Sequence, residues 1–406
     1  MSEWKKVKLG EIAESCLGKM LDADKNRGEY KPYLANINVR WGSFDTENLS
    51  LMKFEENEDE RYGIKYGDLI ICEGGEPGRC AIWKEQVPDM KIQKALHRVR
   101  PKPGLVDNFY LFYWFLLAGK RNWIDQYCTG ATIKHLPGQK LKEVIVDVPS
   151  LATQHRIATI LSRYDSLIEN YQKQIKLLEE TAQRLYKEWF VDLHFPGHEN
   201  TKIVDGVPEG WEKKKIEDIF SYVRGRSYTS KELSDSGTIL VNLKNIQAFG
   251  GYKRDAEKRY LGDYKREQSL EVGDLVMGVT DMTQERRLVG HVALIPEFKE
   301  PATFSMDLIK ILPFELSKTF LYCAMRFGGI SKQIAPLANG VNVLHLKPEA
   351  MMGIEMAVPS KDLIKHFDVY INHSFNTILH LQDQIRLLTE ARDRLLPKLM
   401  SGEIAV

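Results

Sequence analysis

Most patterns that mark a catalyst are missing from this sequence. It has no glycine-rich loop leading into Lys-Ser/Thr, no Asn/Asp-Pro-Pro-Tyr/Phe run, no HExxH and no GxSxG, so nucleotide cradling, amino-methyl transfer, zinc proteolysis and nucleophile-elbow hydrolysis have no local support. His194 and His198 stand four apart, but Pro196 lies between them and no cysteine or third histidine is near, so no metal site is expected. "PEFK" at 296–299 lacks the aspartate motif a nuclease needs, and it reads as a solvated loop. The five cysteines (Cys16, Cys72, Cys80, Cys128, Cys323) form no CxxC pair, the usage expected of reduced thiols in a cytoplasm. Excess charge is absent too: 57 basic against 56 acidic residues leave a net charge of +1. Any nucleic-acid reading must therefore rest on local patches. The longest apolar run, "FYLFYWFLLAG" at 109–119, is about half a membrane span and predicts a buried helix. "MSEWKKVKLGEIAE" carries no apolar segment after its charges, so no signal peptide and no membrane association are expected.

What the chain does have is a repeat. "EWKKVKLGEI" (3–12) faces "GWEKKKIEDI" (210–219), "YLANI" faces "ILVNL", and "YGDLI" faces "VGDLV". "TGATIKHLPGQKLKEVIVDVPS" (129–150) faces "NGVNVLHLKPEAMMGIEMAVPS" (339–360) without a gap. Offsets of 206 to 210 thus relate two halves, settling at 210 from residue 129 on. Within each half, short apolar runs broken by Gly, Asn and Pro predict an α+β domain of about 150 residues. "YGDLIICEGGEPGRCAIW" and "VGDLVMGVTDMTQERRLVGHVALIP" predict hairpins, the second with a longer tip, and GGEPG reads most simply as a turn.

After each Val-Pro-Ser the period becomes helical. Ile157, Leu161, Tyr164, Ile168, Tyr171, Ile175, Leu178, Ala182, Leu185 and Trp189 form a heptad a/d stripe. Shifted by 210 it reads Phe367, Ile371, Ser374, Ile378, Leu381, Ile385, Leu388, Arg392, Leu395 and Leu399, broken only by Ser374 and Arg392. A stripe so narrow favours two helices of about 40 residues packed on one another over helices that each cover their own domain. The expected fold is α+β: two repeated α/β domains separated by a long antiparallel two-helix coiled coil with pseudo-two-fold symmetry. The domains are 1–150 and 196–358, and the spacer helices 151–195 and 359–406.

Basic and polar clusters recur in both halves: Lys5, Lys6 and Lys8; Arg40 beside Trp41; Lys91, Lys94 and Arg98; Lys213 to Lys215; Arg224 and Arg226; "YKRDAEKRY" (252–260); Arg286 and Arg287. Each alone is more often a solvated face. Together, with aromatics interleaved, they suit phosphate contacts and base-edge reading.

These features resemble the specificity subunits of type I restriction-modification systems along essentially the whole chain. "VPSLATQHRIATILSRYDSLIE" (148–169) is similar to the family's Pro-x4-Gln-x2-Ile-x3-Leu-x3-Asp entry into its first conserved helix. "LYKEWFVDLHFPGHE" (185–199) with "GVPEGWEKKKIEDI", and the ending "RDRLLPKLMSGEIAV" (392–406), extend the likeness. The second entry, "VPSKDLIKHFDVYINHSFNTI", lacks the Gln-x-x-Ile spelling. The resemblance implies a non-catalytic reader of double-stranded DNA with two target recognition domains, each for one half of a split target. It also implies conserved helices that set the spacing and dock two methyltransferase subunits, with restriction subunits joining the assembly. S-adenosylmethionine, ATP and magnesium would belong to those partners and not to this chain. A standalone pseudo-symmetric DNA-binding regulator or architectural protein is the alternative.

The candidate contacts lie on loops common to both halves. Gly78-Arg79 and Arg286-Arg287 fall at hairpin tips; Gly130 and Gly340 allow backbone approach to phosphate; Thr129, Thr132, Lys134, Asn339 and Asn342 supply hydrogen-bonding groups. Arg40, Trp41, Lys94, Arg224, Arg226, Lys244 and Lys347 complete the set. His135 and His345 are either contacts or packing residues.

Overall fold

The computed structural model describes residues 4–22 and 26–406; Glu3 at the head of the first repeat lies outside them. The chain divides into two compact units, 1–168 with 387–406, and 169–386.

In the first unit, strands Ala13–Leu17, Leu96–Pro101, Leu69–Cys72 and Cys80–Ile82 form an antiparallel sheet in that order. A smaller sheet orders Ser50–Phe54, Glu29–Leu34 and Lys91–Ile92, the last pair parallel. The second unit repeats the plan. Phe220–Arg224, Leu308–Pro313, Leu275–Gly278 and Val292–Leu294 form its larger sheet, and Thr238–Val241 pairs parallel with Ala302–Phe304 in the smaller one. Lys5–Lys8 pairs with Ile145–Val148, and Glu212–Lys215 with Glu355–Val358, so the start of each repeat is stitched to its end.

The continuous apolar runs in the central strands follow from burial on both faces. Side chains alternate sides along a strand: Leu69 and Ile71 enter one buried cluster, Ile70 and Cys72 another. Leu275 and Met277 likewise separate from Val276. Helix Asn108–Lys120 is the expected buried one. Tyr110 to Ala118 are all buried, and the Asp107 carboxylate caps its first turn by accepting from Tyr110 N at 2.8 Å.

Long helices span Leu151–Tyr186 and Lys361–Met400. Each starts just after a Val-Pro-Ser, where the Ser150 or Ser360 hydroxyl accepts a backbone N–H of the first turn. The first helix passes into a π-type turn, Lys187–Val191, and Leu193 adopts positive φ; the helical part of 151–195 therefore stops before 195. No residue of the heptad stripe is exposed. In the first unit Ile157, Leu161, Leu396, Leu399 and Met400 share one cluster and the Arg392 guanidinium reaches Asp165 at 2.6 Å. In the second, the Tyr186 and Trp189 rings meet Phe367 at 6.0 and 5.9 Å. Both pairings are antiparallel.

The preference for helix-on-helix packing alone needs correction. The same helices also cover their own domains: Tyr186 meets Phe320, and Ala158, Leu363, Ile364 and Phe375 are buried beside the stripe. The apolar face is wider than an a/d seam because it serves two partners. This explains why the second entry departs from the family spelling. Gln154 is 1 % exposed; its amide donates to the Pro149 carbonyl at 2.9 Å and its Oε1 accepts from Asp107 N at 2.8 Å. Asp165 accepts from the Tyr113 hydroxyl and from Arg392. At an offset of 210 stand Ile364, Phe375, Cys323 and Ala182, all buried in one cluster. Polar fastening in one unit is apolar fastening in the other.

Candidate nucleic-acid interface

Three loops meet at one end of each domain. The first is the tip of the central hairpin, between Cys72 and Cys80 or between Gly278 and Val292. The second is a small turn centred on Trp41-Gly42 or Phe249-Gly250, docked on the hairpin's return strand: Gly42 N donates to the Cys80 carbonyl at 2.9 Å, and Gly251 N to that of Val292 at 2.8 Å. The third is the loop predicted to approach phosphate. Thr129 and His135 exchange N–H···O bonds of 2.8 Å each, and Asn339 and His345 exchange bonds of 3.0 and 2.9 Å. Leu136 N then donates to Glu73, and Leu346 N to Val279, anchoring each loop to its hairpin.

Gly130 and Gly340 have positive φ, and a Cβ there would fall 2.2 Å from the Ile133 carbonyl oxygen and 1.9 Å from that of Val343. Glycine is required by this internal close approach. The histidines close the loops through their backbones while their side chains are exposed.

Thr129, Thr132, Lys134, Asn339 and Asn342 are all exposed on these closed loops. Trp41, Thr132 and Lys134 converge on one open cavity of about 550 Å³, lined also by Glu76, Asn122 and Asp125. Lys134 donates to Asp125 at 2.7 Å, and this hydrogen bond raises its pKa. In the second domain the Gln284 amide donates to the Val341 carbonyl at 2.8 Å, tying the tip that carries Arg286 and Arg287 to the Asn339–Asn342 loop. Arg287 is half exposed and paired with Glu285.

Other predicted residues are placed differently. Gly78 is buried against Ile124, and Arg79 turns inward, donating to Glu76 at 2.8 Å and to the Asn36 carbonyl at 2.8 Å. It braces the tip and is not presented by it. Trp41 lies over Gly119 with its indole N–H on Glu76 at 2.7 Å. Arg286 is half-buried at positive φ, its Nε without a partner among the described residues. Arg40 is exposed and ion-paired with Asp45 at 3.6 Å. Arg224 and the Tyr222 hydroxyl both donate to Glu349, whose pKa the Tyr222 bond foremost pulls down to about 2. Arg226 reaches the Tyr260 hydroxyl at 3.3 Å. Lys94, Lys244 and Lys347 are exposed on separate stretches. Several clusters dissolve into structure. Lys91 is buried on Asp59, and Arg98 donates to the Glu60 and Gly63 carbonyls. Within 252–260, Tyr252 and Tyr260 are core, Arg254 pairs with Asp383, and Arg259 with Glu300.

Sequence reasoning missed the residues that build the second tip. Asp281, 0 % exposed, accepts from Thr283 N and Oγ1 at 2.8 Å each, Leu288 N at 2.6 Å and Val289 N at 3.3 Å. Burial opposes its ionisation, and these bonds outweigh it, so its pKa is lowered. Phe249 and His291 were missed as well; an aromatic beside Gly-Gly was the available signal. Among the described residues no His/Cys/Asp/Glu group could hold a metal ion, and no helix is long and apolar enough to cross a membrane.

Comparison with known proteins agrees with this architecture. Residues 1–180 match the family model described as the type I restriction modification DNA specificity domain. The type I restriction enzyme MjaIX specificity subunit of Methanocaldococcus jannaschii is 28 % identical over 348 residues, 84 % of this chain and 78 % of the relative. Over most of its length the chain is thus similar to type I restriction-modification specificity subunits. The HindI specificity subunit of Haemophilus influenzae aligns with this chain over the full length of both at 20 % identity. The crystal structure of a type I S subunit from M. genitalium shares its fold, with a TM-score of 0.60, 17 % identity and coverage of 98 % of this chain and 96 % of that one.

Proposed function

We propose that this chain is a type I specificity subunit that reads a bipartite DNA target with a fixed spacer. One half-site falls to the domain of residues 1–150 and the other to 196–358, while the long helices set the gap and dock two methyltransferase subunits and, through the assembly, restriction subunits. The observation that carries the reading is the duplication of one loop assembly: hairpin tip, small aromatic turn and a glycine-closed loop, at the same end of both domains. Exposed Thr129, Thr132, Lys134, Asn339, Asn342 and Arg287 are the groups for base edges and phosphates. Lys94, Lys244 and Lys347 add phosphate contacts. S-adenosylmethionine, ATP and magnesium are the partners' reagents. Co-expression with a methyltransferase subunit tests this: the assembled complex methylates adenine in a sequence-specific manner and the isolated chain does not. Methyl transfer by the chain alone, or tight sequence-specific binding with no partner recruited, would favour the other readings.

A further inference from the structure

Phe249 combines three properties that an ordinary surface turn avoids. It is a bulky residue at φ +63°, in the left-handed region where such side chains are rare. It is 58 % exposed although strongly apolar. And it is held firmly: its N–H donates to the Arg287 carbonyl at 2.8 Å, and its ring meets His291 edge-to-face, 5.5 Å between centroids at 88°. His291 is itself buried, and burial lowers its pKa; the same tip carries Arg286, its other non-glycine residue at positive φ. A buried imidazole thus backs the strained Phe249. The tip built by Asp281 adds Met282 at 77 % exposure and, through Gln284, Val341 at 87 %. In the first domain the aromatic of the equivalent turn, Trp41, directly precedes the docking glycine and is folded down on Gly119, so an outward aromatic at this turn is particular to the second.

We propose that Phe249 is a wedge that enters a base step of the DNA read by the second domain and partly unstacks it, with Met282 against the exposed base face. The proposal rests on the DNA-reading function above. Strain that persists only because its surroundings enforce it, at a solvent-facing apolar ring, is what a preorganised intercalating side chain requires. Exposed Arg287, Lys332 and Lys347 in the same domain supply charge complementary to the flanking phosphates. A wedge also reads deformability: it favours pyrimidine–purine steps, which unstack most easily. The second half-site is therefore expected to contain a TA or CA/TG step that no side chain needs to contact by its edges.

The test uses the chain assembled with its methyltransferase subunit and duplexes carrying 2-aminopurine at successive positions of the mapped target. Apart from the methylated adenine, which the methyltransferase itself takes out of the stack and which is left out of the scan, wild type gives a fluorescence rise at one step of the second half-site. Phe249→Ala abolishes the rise and weakens target binding roughly tenfold, the order expected for one aromatic–base stack, while Phe249→Trp retains both. Phe249→Gly loses the rise but melts no lower than wild type, since glycine relieves the left-handed backbone. A residue that merely packs would lower the melting temperature as glycine. Tight wild-type binding with no rise at any position, or a rise that survives in Phe249→Ala, overturns the wedge and leaves the function standing. Failure of the assembled complex to bind any mapped target overturns both.

Discussion

Replacing Arg392 separates two accounts of how the first unit is fastened. Arg392 meets Asp165 at 2.6 Å, both side chains are 18 % exposed, and Asp165 also accepts from Tyr113. Asp393 continues the network to Lys120. Removing one member of a buried pair costs roughly 3–5 kcal/mol because the other charge is stranded. Here the partial exposure and the remaining Tyr113 bond reduce this, so Arg392→Ala is expected to cost about 2–4 kcal/mol. The chain itself contains an apolar alternative, since Cys323, Phe375 and Ala182 occupy the equivalent positions in the second unit. The triple variant Tyr113→Cys, Asp165→Phe, Arg392→Ala copies that trio, and by the general behaviour of apolar replacements it should recover most of the loss. Denaturant titration followed by circular dichroism reads both, with constant m-values as the condition for comparison. A single variant within about 0.5 kcal/mol of wild type, the usual range for surface substitutions, would refute the stranded-charge argument. A triple variant no better than the single would refute the equivalence of the two units.

Other consequences are more local. Asp281→Asn should weaken the second hairpin tip by about 1–3 kcal/mol through loss of charge-assisted bonds, with altered reading of one half-site only; changes at both half-sites would contradict it. Because Asp281 has a lowered folded pKa, its contribution is present above the unfolded aspartate value near 4 and is lost as pH falls through the folded value. The stability difference between wild type and Asp281→Asn should therefore shrink on acidification below about pH 4; a difference that grew would reverse the assignment. Leu178→Asp puts a carboxylate into the heptad stripe and should reduce methyltransferase co-purification more than it alters either domain, since an unpaired buried charge costs several kcal/mol. Four residues inserted after Glu180 add at most about 6 Å of helix and should lengthen the preferred spacer by about one or two base pairs with half-site letters unchanged. An unchanged spacer in methylation mapping would show that 151–195 is not the ruler.

The parts legible in the sequence were those encoded by periodicity. The repeat of one half in the other, the paired hairpins and the helical stripe depend on spacing alone, and spacing survives folding. The width of the stripe was not legible, because whether Phe375 faces a helix or a domain depends on its contact with Tyr322, far away in the sequence. The basic clusters were the least legible. Lys91, Arg98, Arg254 and Arg259 look like a solvated or DNA-facing surface until Asp59, the Glu60 carbonyl, Asp383 and Glu300 are brought to them. Gly130 and Gly340 were recognised as special, but the close approach they permit is to their own loops. Phe249 carried no periodic signal, since its significance lies in a backbone angle.

The central claim is that each domain reads its own half of a split target, and exchange of one domain tests it most directly. The segment from about 200 to 358 is replaced by the aligned segment of a related specificity subunit, the chimera is co-expressed with the methyltransferase subunit, and methylated adenines are mapped across the host genome. The account predicts a bipartite motif in which one half-site is unchanged, the other adopts the donor's letters, and the spacer is retained. A motif altered in both halves, or a continuous target with no unread gap, would contradict it.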